Sequence, residues 1–129
     1  MLRIYPASKL KHGAMWRELN ENSPGIFLHA RWLKHNRIHT PDTKDNAAKF
    51  WLEDAQDIRN ADAVFVYAEK DDHLRGALVE AGVAIATGVP VIVIGDHSDY
   101  GTWQYHPLVV KALSIEKAIE YVMKTLDTL

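Results

Sequence analysis

The sequence predicts an α/β fold: a doubly wound, mostly parallel sheet of five strands with helices on both faces. Three observations carry this expectation. Short apolar runs alternate along the chain with longer helical stretches. The run "ADAVFVYA" is continuously apolar, as a strand buried on both faces is. Strands that alternate with helices pair in parallel through right-handed crossovers.

Each element has its own signal. "LRIYPA" reads as the first strand, followed by a helix from about Lys9 to Asn20 that "NSPG" stops. "IFLHARW" reads as the second strand. His35 to Asp45, with "HTPDTKD", is a polar loop. Asn46 can cap a helix through about Asn60, on which Phe50, Trp51, Ala55 and Ile58 form an apolar stripe. "ADAVFVYA" is the third strand and "EKDDH" a loop. Leu74 to Thr87, rich in Ala, Leu and Val, is a helix ended by Gly88, and "PVIVIG" is the fourth strand. "DHSDYGTWQYHP" is a loop, "LVVKAL" a fifth strand, and Ser114 caps a last helix to about Leu126. There is no internal repeat, linker or low-complexity segment, and one domain is expected over residues 1–129.

Bulk properties narrow the function classes. The 129 residues suffice for a real core. A net charge of −2 gives no electrostatic footprint for a nucleic-acid polymer or a membrane surface. The chain has no cysteine, so disulfides and thiolate metal sites are excluded. "MLRIYPASKLKHG" is too short and too charged for a signal peptide. The run from Gly76 to Gly95 is broken by "TGVP" and carries Glu80, so it reads as helix–turn–strand rather than a membrane span. A cytoplasmic protein is expected. "HARWLKHNRIH" offers His29, His35 and His39, but at spacings of six and four without an HExxH-type acid. No metal site is expected.

In a parallel sheet, ligands bind beyond the carboxyl ends of the strands. The loops there start near Pro6–Ala7–Ser8, Arg31–Trp32, Tyr67–Glu69–Asp71–Asp72 and Gly95–Asp96, and polar and aromatic residues gather at all four. Glu80 follows the third loop by about two helical turns and is the one charge between Gly76 and Gly95. A carboxylate in apolar surroundings is costly unless compensated, so Glu80 either faces solvent or has a task. Its neighbours three and four positions away are Gly76, Ala77, Val83 and Ala84, small or apolar residues that leave room for a ligand.

"ADAVFVYAEKDD" followed by "GALVEAGVAIATGVPVIVIG" resembles the nucleoside 2-deoxyribosyltransferase family and its nucleotide-hydrolysing relatives. That family shows a strand, a loop, a helix carrying a glutamate, then G-x-P and a hydrophobic strand. "IYPAS", the residues Trp51, Asp54, Ile58, Ala61 and Asp62, and the late "HP" are also similar, so the likeness spans most of the chain.

The resemblance implies cleavage or transfer of an N-glycosidic bond between a (deoxy)ribose and a base, with Glu80 as nucleophile. Such cleavage passes through an oxocarbenium-like state that a carboxylate stabilises. Asp71, Asp72 and Asp62 are the acidic candidates for serving the leaving base; Asp72 lies eight residues before Glu80, and its plain alternative is a helix cap. Tyr5 matches a family tyrosine that would orient Glu80; the alternative is a half-buried strand-end residue. Ser8 and Lys9, and Arg75 and Gly76, open helices whose N–H groups can hold a phosphate. Lys9 and Arg75 are otherwise solvated charges. The nucleotide-hydrolysing branch usually has a serine near Arg75, which "LRGA" lacks.

Trp32 and Trp103 are candidates for stacking on a base, and Tyr67 lies in a ligand loop. Trp51 reads as core or subunit contact. His106 in "YHP" matches a family feature, with loop anchoring as its plain role. The resemblance also implies a homodimer or larger homo-oligomer, for which "DYGTWQYHP" is the candidate interface, and no organic cofactor or metal. Three alternatives stay open. One is a nucleotide-binding or sequestering protein that kept the fold and lost turnover. Another is a signalling module of the flavodoxin or receiver type, which "YPAS" and "VYAEK" fit poorly. The third is an NAD glycohydrolase of the Toll/interleukin-1 receptor type, which also uses a helix glutamate.

Overall fold

The computed structural model describes residues 1–35 and 37–126. Asn36, inside the expected polar loop, and residues 127–129, at the end of the expected domain, lie outside the described residues. The elements in chain order are β1 (Leu2–Ala7), α1 (Gly13–Asn22), β2 (Ile26–Leu28), α2 (Lys44–Arg59), β3 (Ala63–Tyr67), α3 (Gly76–Ala86), β4 (Val91–Ile94), β5 (Val109–Ala112) and α4 (Ile115–Thr125). All strand pairs are parallel, in the order β2-β1-β3-β4-β5. This is the doubly wound α/β sheet expected from the alternation of elements. β1 pairs with β2 on one side and β3 on the other, so the chain reverses its winding direction there. The crevice at the carboxyl ends of β1 and β3 is the place where such sheets bind ligands.

The middle of the sheet is dry. Ile4 and Tyr5 of β1, Val64, Phe65 and Val66 of β3, and Val91 and Ile92 of β4 have no exposure. Burying a side chain such as Phe65 contributes on the order of 1.5–3 kcal/mol. Trp16 from α1 and Val122 from α4 complete the core. Gly88, at φ +78°, terminates α3, and the following Val89 N–H donates to the Ala84 carbonyl at 2.8 Å.

Several boundaries differ from expectation, most of them because a distant residue wins. α1 starts at Gly13; Leu10–His12 is instead a 3-10 turn, and His12 Nε2 meets Asp72 Oδ2 at 2.7 Å. β2 stops at Leu28. Arg31–Leu33 turns into a 3-10 helix because Arg31 N–H bonds Asp57 at 2.8 Å and Trp32 Nε1 donates to the Pro6 carbonyl at 3.1 Å. α2 begins at Lys44, capped by Thr43 rather than Asn46; the Thr43 hydroxyl accepts from Asn46 N–H at 3.2 Å. Its buried face carries Asp54, Asp57 and Ile58, while Trp51 stays 42% exposed and is not core. Two arginines, Arg37 and Arg31, make those buried carboxylates tolerable. α3 begins at Gly76, since Leu74 N–H is held by Asp99 Oδ2 at 2.8 Å. Ser114 caps α4 as expected, accepting from Lys117 N–H at 3.2 Å.

Candidate active site

A cleft of about 470 Å³ opens at the carboxyl edge of the sheet. Ser8 and Lys9 follow β1 into it, Trp32 comes from the turn after β2, and Arg37 to Asp42 form part of one wall. α2 contributes Phe50, Trp51 and Asp54, and the start of α3 contributes Gly76, Ala77 and Glu80.

Glu80 sits on the inward face of α3 and is buried. Its carboxyl meets the Tyr5 hydroxyl, which donates to Oε2 from β1. Burial pushes the Glu80 carboxyl up to about 8; the Tyr5 hydrogen bond pulls it down, Asp54 pushes it further up and Arg37 opposes that. Burial also raises the Tyr5 phenol well above its ordinary value, and Glu80 adds to the rise. Tyr5 therefore keeps its proton and acts as a donor, while burial favours the protonated form of Glu80 at neutral pH.

Asp54 supplies a second carboxyl to the same cleft and is likewise buried. Arg37 Nη1 reaches its two oxygens at 2.8 and 2.9 Å, and Arg37 Nη2 reaches Glu53 Oε1 at 3.2 Å. The guanidinium lies 4.2 Å from the centroid of the Phe50 ring. Burial raises the Asp54 carboxyl, and Arg37 works against that rise. Two carboxyls of unequal proton affinity on one cleft wall can divide nucleophile and acid roles.

Of the thirteen residues singled out from sequence, Glu80, Ser8, Lys9, Trp32, Arg75 and Gly76 line the cleft, and Tyr5 stands behind Glu80. The Ser8 hydroxyl is already engaged, accepting from Trp16 Nε1 at 2.8 Å and donating to the Lys9 carbonyl at 3.2 Å.

The other six do not line it. Asp72 is tied to His12, to Lys11 Nζ at 2.9 Å and to Glu69 N–H at 2.8 Å. Burial disfavours its charge, but these three partners outweigh it and hold the carboxyl well below its usual range. Asp62 precedes β3 and so lies at the opposite, amino edge, where it accepts from Arg3 N–H at 2.7 Å. Tyr67 donates to Glu69 at 2.9 Å, and Asp71 is exposed. Trp103 packs edge-on against Tyr100 at 6.1 Å. His106 Nδ1 accepts from Leu108 N–H at 3.0 Å, a loop-anchoring bond.

Sequence reasoning missed Arg37, Phe50 and Asp54 as site residues and read Trp51 as core or subunit contact. Asp54 had a usable signal: it falls four residues after Phe50 and four before Ile58, an acid in line with an apolar stripe. Arg37 had none, because its partners lie 16 and 17 residues away on a separate element.

Among the described residues, no group of three or more His, Asp or Glu is placed to hold a metal ion. Nor is any described helix long and apolar enough to cross a membrane.

The sequence matches no protein-family model and none of the curated proteins compared with it. Among solved structures, the chain is similar in fold to the CMP N-glycosidase BcmB of Clostridium botulinum, at a TM-score of 0.54 and 13% identity, over 93% of this chain and 97% of that one.

Proposed function

We propose that this cleft cleaves the N-glycosidic bond of a nucleoside or nucleoside monophosphate, with Glu80 as nucleophile. The observation that carries the reading is the buried Glu80 carboxyl, oriented by Tyr5 and presented to the cleft at the carboxyl edge of the sheet. The fold likeness to a protein described as a CMP N-glycosidase supports it.

In this reading a Glu80 oxygen bonds to the sugar C1′ as the C1′–N bond breaks. The electron pair leaves with the base, which takes up a proton. Asp54 is the group that passes that proton, because it is the second carboxyl on the cleft wall and Asp72 is tied elsewhere. Water then releases the sugar in a hydrolase, or a second base accepts it in a transferase. Phe50, Trp51 and Trp32 offer aromatic surface for the base. Lys9, after β1, and Arg75, at the uncapped start of α3, are the residues for a 5′-phosphate. No cofactor enters this scheme. A homo-oligomer closed through the loop over residues 99–107 is part of the same reading; Tyr105, 79% exposed there, is its apolar contact.

The test is incubation with a panel of deoxynucleosides, ribonucleosides and their monophosphates, with chromatography of the free base. Base release by the native chain and not by Glu80→Ala supports the reading. Tight binding without release, equal in both proteins, assigns the cleft to nucleotide sequestration instead.

A further inference from the structure

Arg37 makes more of the cleft than a loop anchor requires. Its side chain is 6% exposed, and three of its contacts run to α2: Asp54 through both carboxylate oxygens, Glu53, and the face of Phe50. Its Nε is buried without a hydrogen-bond partner among the described residues. An unpaired buried donor costs about 1–3 kcal/mol. Stability alone is therefore a poor account of this arginine.

We propose that Arg37 is a positioning residue that decides which cleft carboxyl is charged: it clamps Asp54 against α2 as the anion and leaves Glu80 as the proton holder until substrate enters. The other ionisable groups around the pair are accounted for. Tyr5 faces Glu80 from β1, and α3 brings no second charge. On α2, Glu53 shares Arg37, and Asp57 is occupied by Arg31 at 3.0 Å. Lys9, Asp42, His73 and Arg75 also line the cleft, without a contact to either carboxyl among the described residues. Arg37 is thus the one cation in direct contact with either buried carboxyl of the cleft among the described residues.

The role rests on the glycosidic reading only for its consequence. There, one proton shared by two carboxyls must move from Glu80 toward the leaving base through Asp54, while Glu80 takes up the negative charge that attacks C1′. Arg37 keeps Asp54 able to accept that proton. Both carboxyls change ownership of one proton, and no oxidant or further reactant is needed.

The experiment is carbon-13 NMR titration of side-chain carboxyls in the native chain, Arg37→Met and Arg37→Lys, with Asp54→Asn and Glu80→Gln for assignment. Losing the cation raises the titration midpoints of both Asp54 and Glu80, by about one pH unit or more for Asp54 in the Met variant and by less for Glu80, which Arg37 does not touch, so that the gap between them narrows. The Lys variant, which keeps the charge but not the fork, moves less. Asp54→Asn lowers the Glu80 midpoint. Unmoved midpoints in a folded Met variant overturn the proposal, whatever the melting temperature does; if Met does not fold, Arg37→Gln, which also removes the cation, is read in its place. Where base release is measurable, the falling limb of its pH profile moves to higher pH in the Met variant with KM little changed. Because the titration needs no turnover, an absence of base release overturns the enzyme reading and leaves the charge assignment standing.

Discussion

Tyr5 and Glu80 lie 75 residues apart and share a buried hydrogen bond, with the hydroxyl as donor. The bond joins the interior strand β1 to the one charged side chain of α3. Tyr5 has no exposure, so its position is set by the sheet rather than by solvent. That makes Tyr5 a rigid post against which the carboxyl is aimed, and preorganisation of this kind is what an acid in a reactive site needs.

The same bond sets a pH dependence. Glu80 titrates near 8, and the proton it holds is the one that the leaving base takes up through Asp54. The expected kcat/KM for base release therefore falls as pH rises through about 8. Tyr5 donation lowers the Glu80 midpoint, so Tyr5→Phe moves the falling limb to higher pH. A profile flat from pH 6 to 9 removes Glu80 ionisation from the rate-determining chemistry.

Stability moves in the same direction with pH. The folded-state midpoint of Glu80 is raised from 4.5 to about 8. Its protonated form is fully compatible with folding below about pH 4.5, and stability is lost as pH climbs through 8. Glu80→Gln removes that loss. We expect the variant to melt higher than the native chain at pH 8, by a ceiling on the order of 5 kcal/mol, and the advantage to vanish near pH 4.5. Calorimetry at the two pH values reads the difference directly. An equal effect at both would mean that packing, not charge, separates the proteins.

Trp51 provides a third check. Its ring touches the space above Gly76, where an added Cβ would lie 3.5 Å away, and it lines the cleft while remaining part exposed. A large aromatic held at a cleft mouth fits stacking on a base, worth roughly 1–3 kcal/mol. Trp51→Ala should raise KM or Kd for the substrate about 10- to 100-fold with little change in melting temperature. A large fall in stability instead would return Trp51 to a structural role.

The fold was legible because strand burial and helix periodicity are local. "ADAVFVYA" and "PVIVIG" are apolar on both faces, and β3 and β4 sit in the middle of the sheet. Glu80 was legible for a related reason: one acid in an apolar helix stands out without any knowledge of its surroundings. Asp72 and Asp62 were acidic and well placed along the chain, but sequence position could not show that His12, Lys11 and Arg3 had already engaged them. Arg37 was invisible because the cleft wall it builds exists only after residues 37–42 fold back onto α2.

The two aspartates make the sharpest contrast. Asp54 and Asp72 are both buried, both paired with cations, and differ in what they face. Asp54 lines the cleft with Glu80. Asp72 clamps the Leu10–His12 turn to the loop after β3. Asp54→Asn should therefore abolish most base release, by roughly 10²-fold or more, while leaving the fold standing. Asp72→Asn should cost about 3 kcal/mol of stability by stranding its partners, with kcat little altered in the molecules that remain folded. Its depressed carboxyl contributes stability above the unfolded value near 3.8 and loses it as pH falls, so the gap between native and Asp72→Asn should narrow in acid. Urea titrations at pH 7 and pH 3, run beside the base-release assay, separate the two roles. An Asp72→Asn protein of native stability that releases no base would move the acid from Asp54 back to the loop.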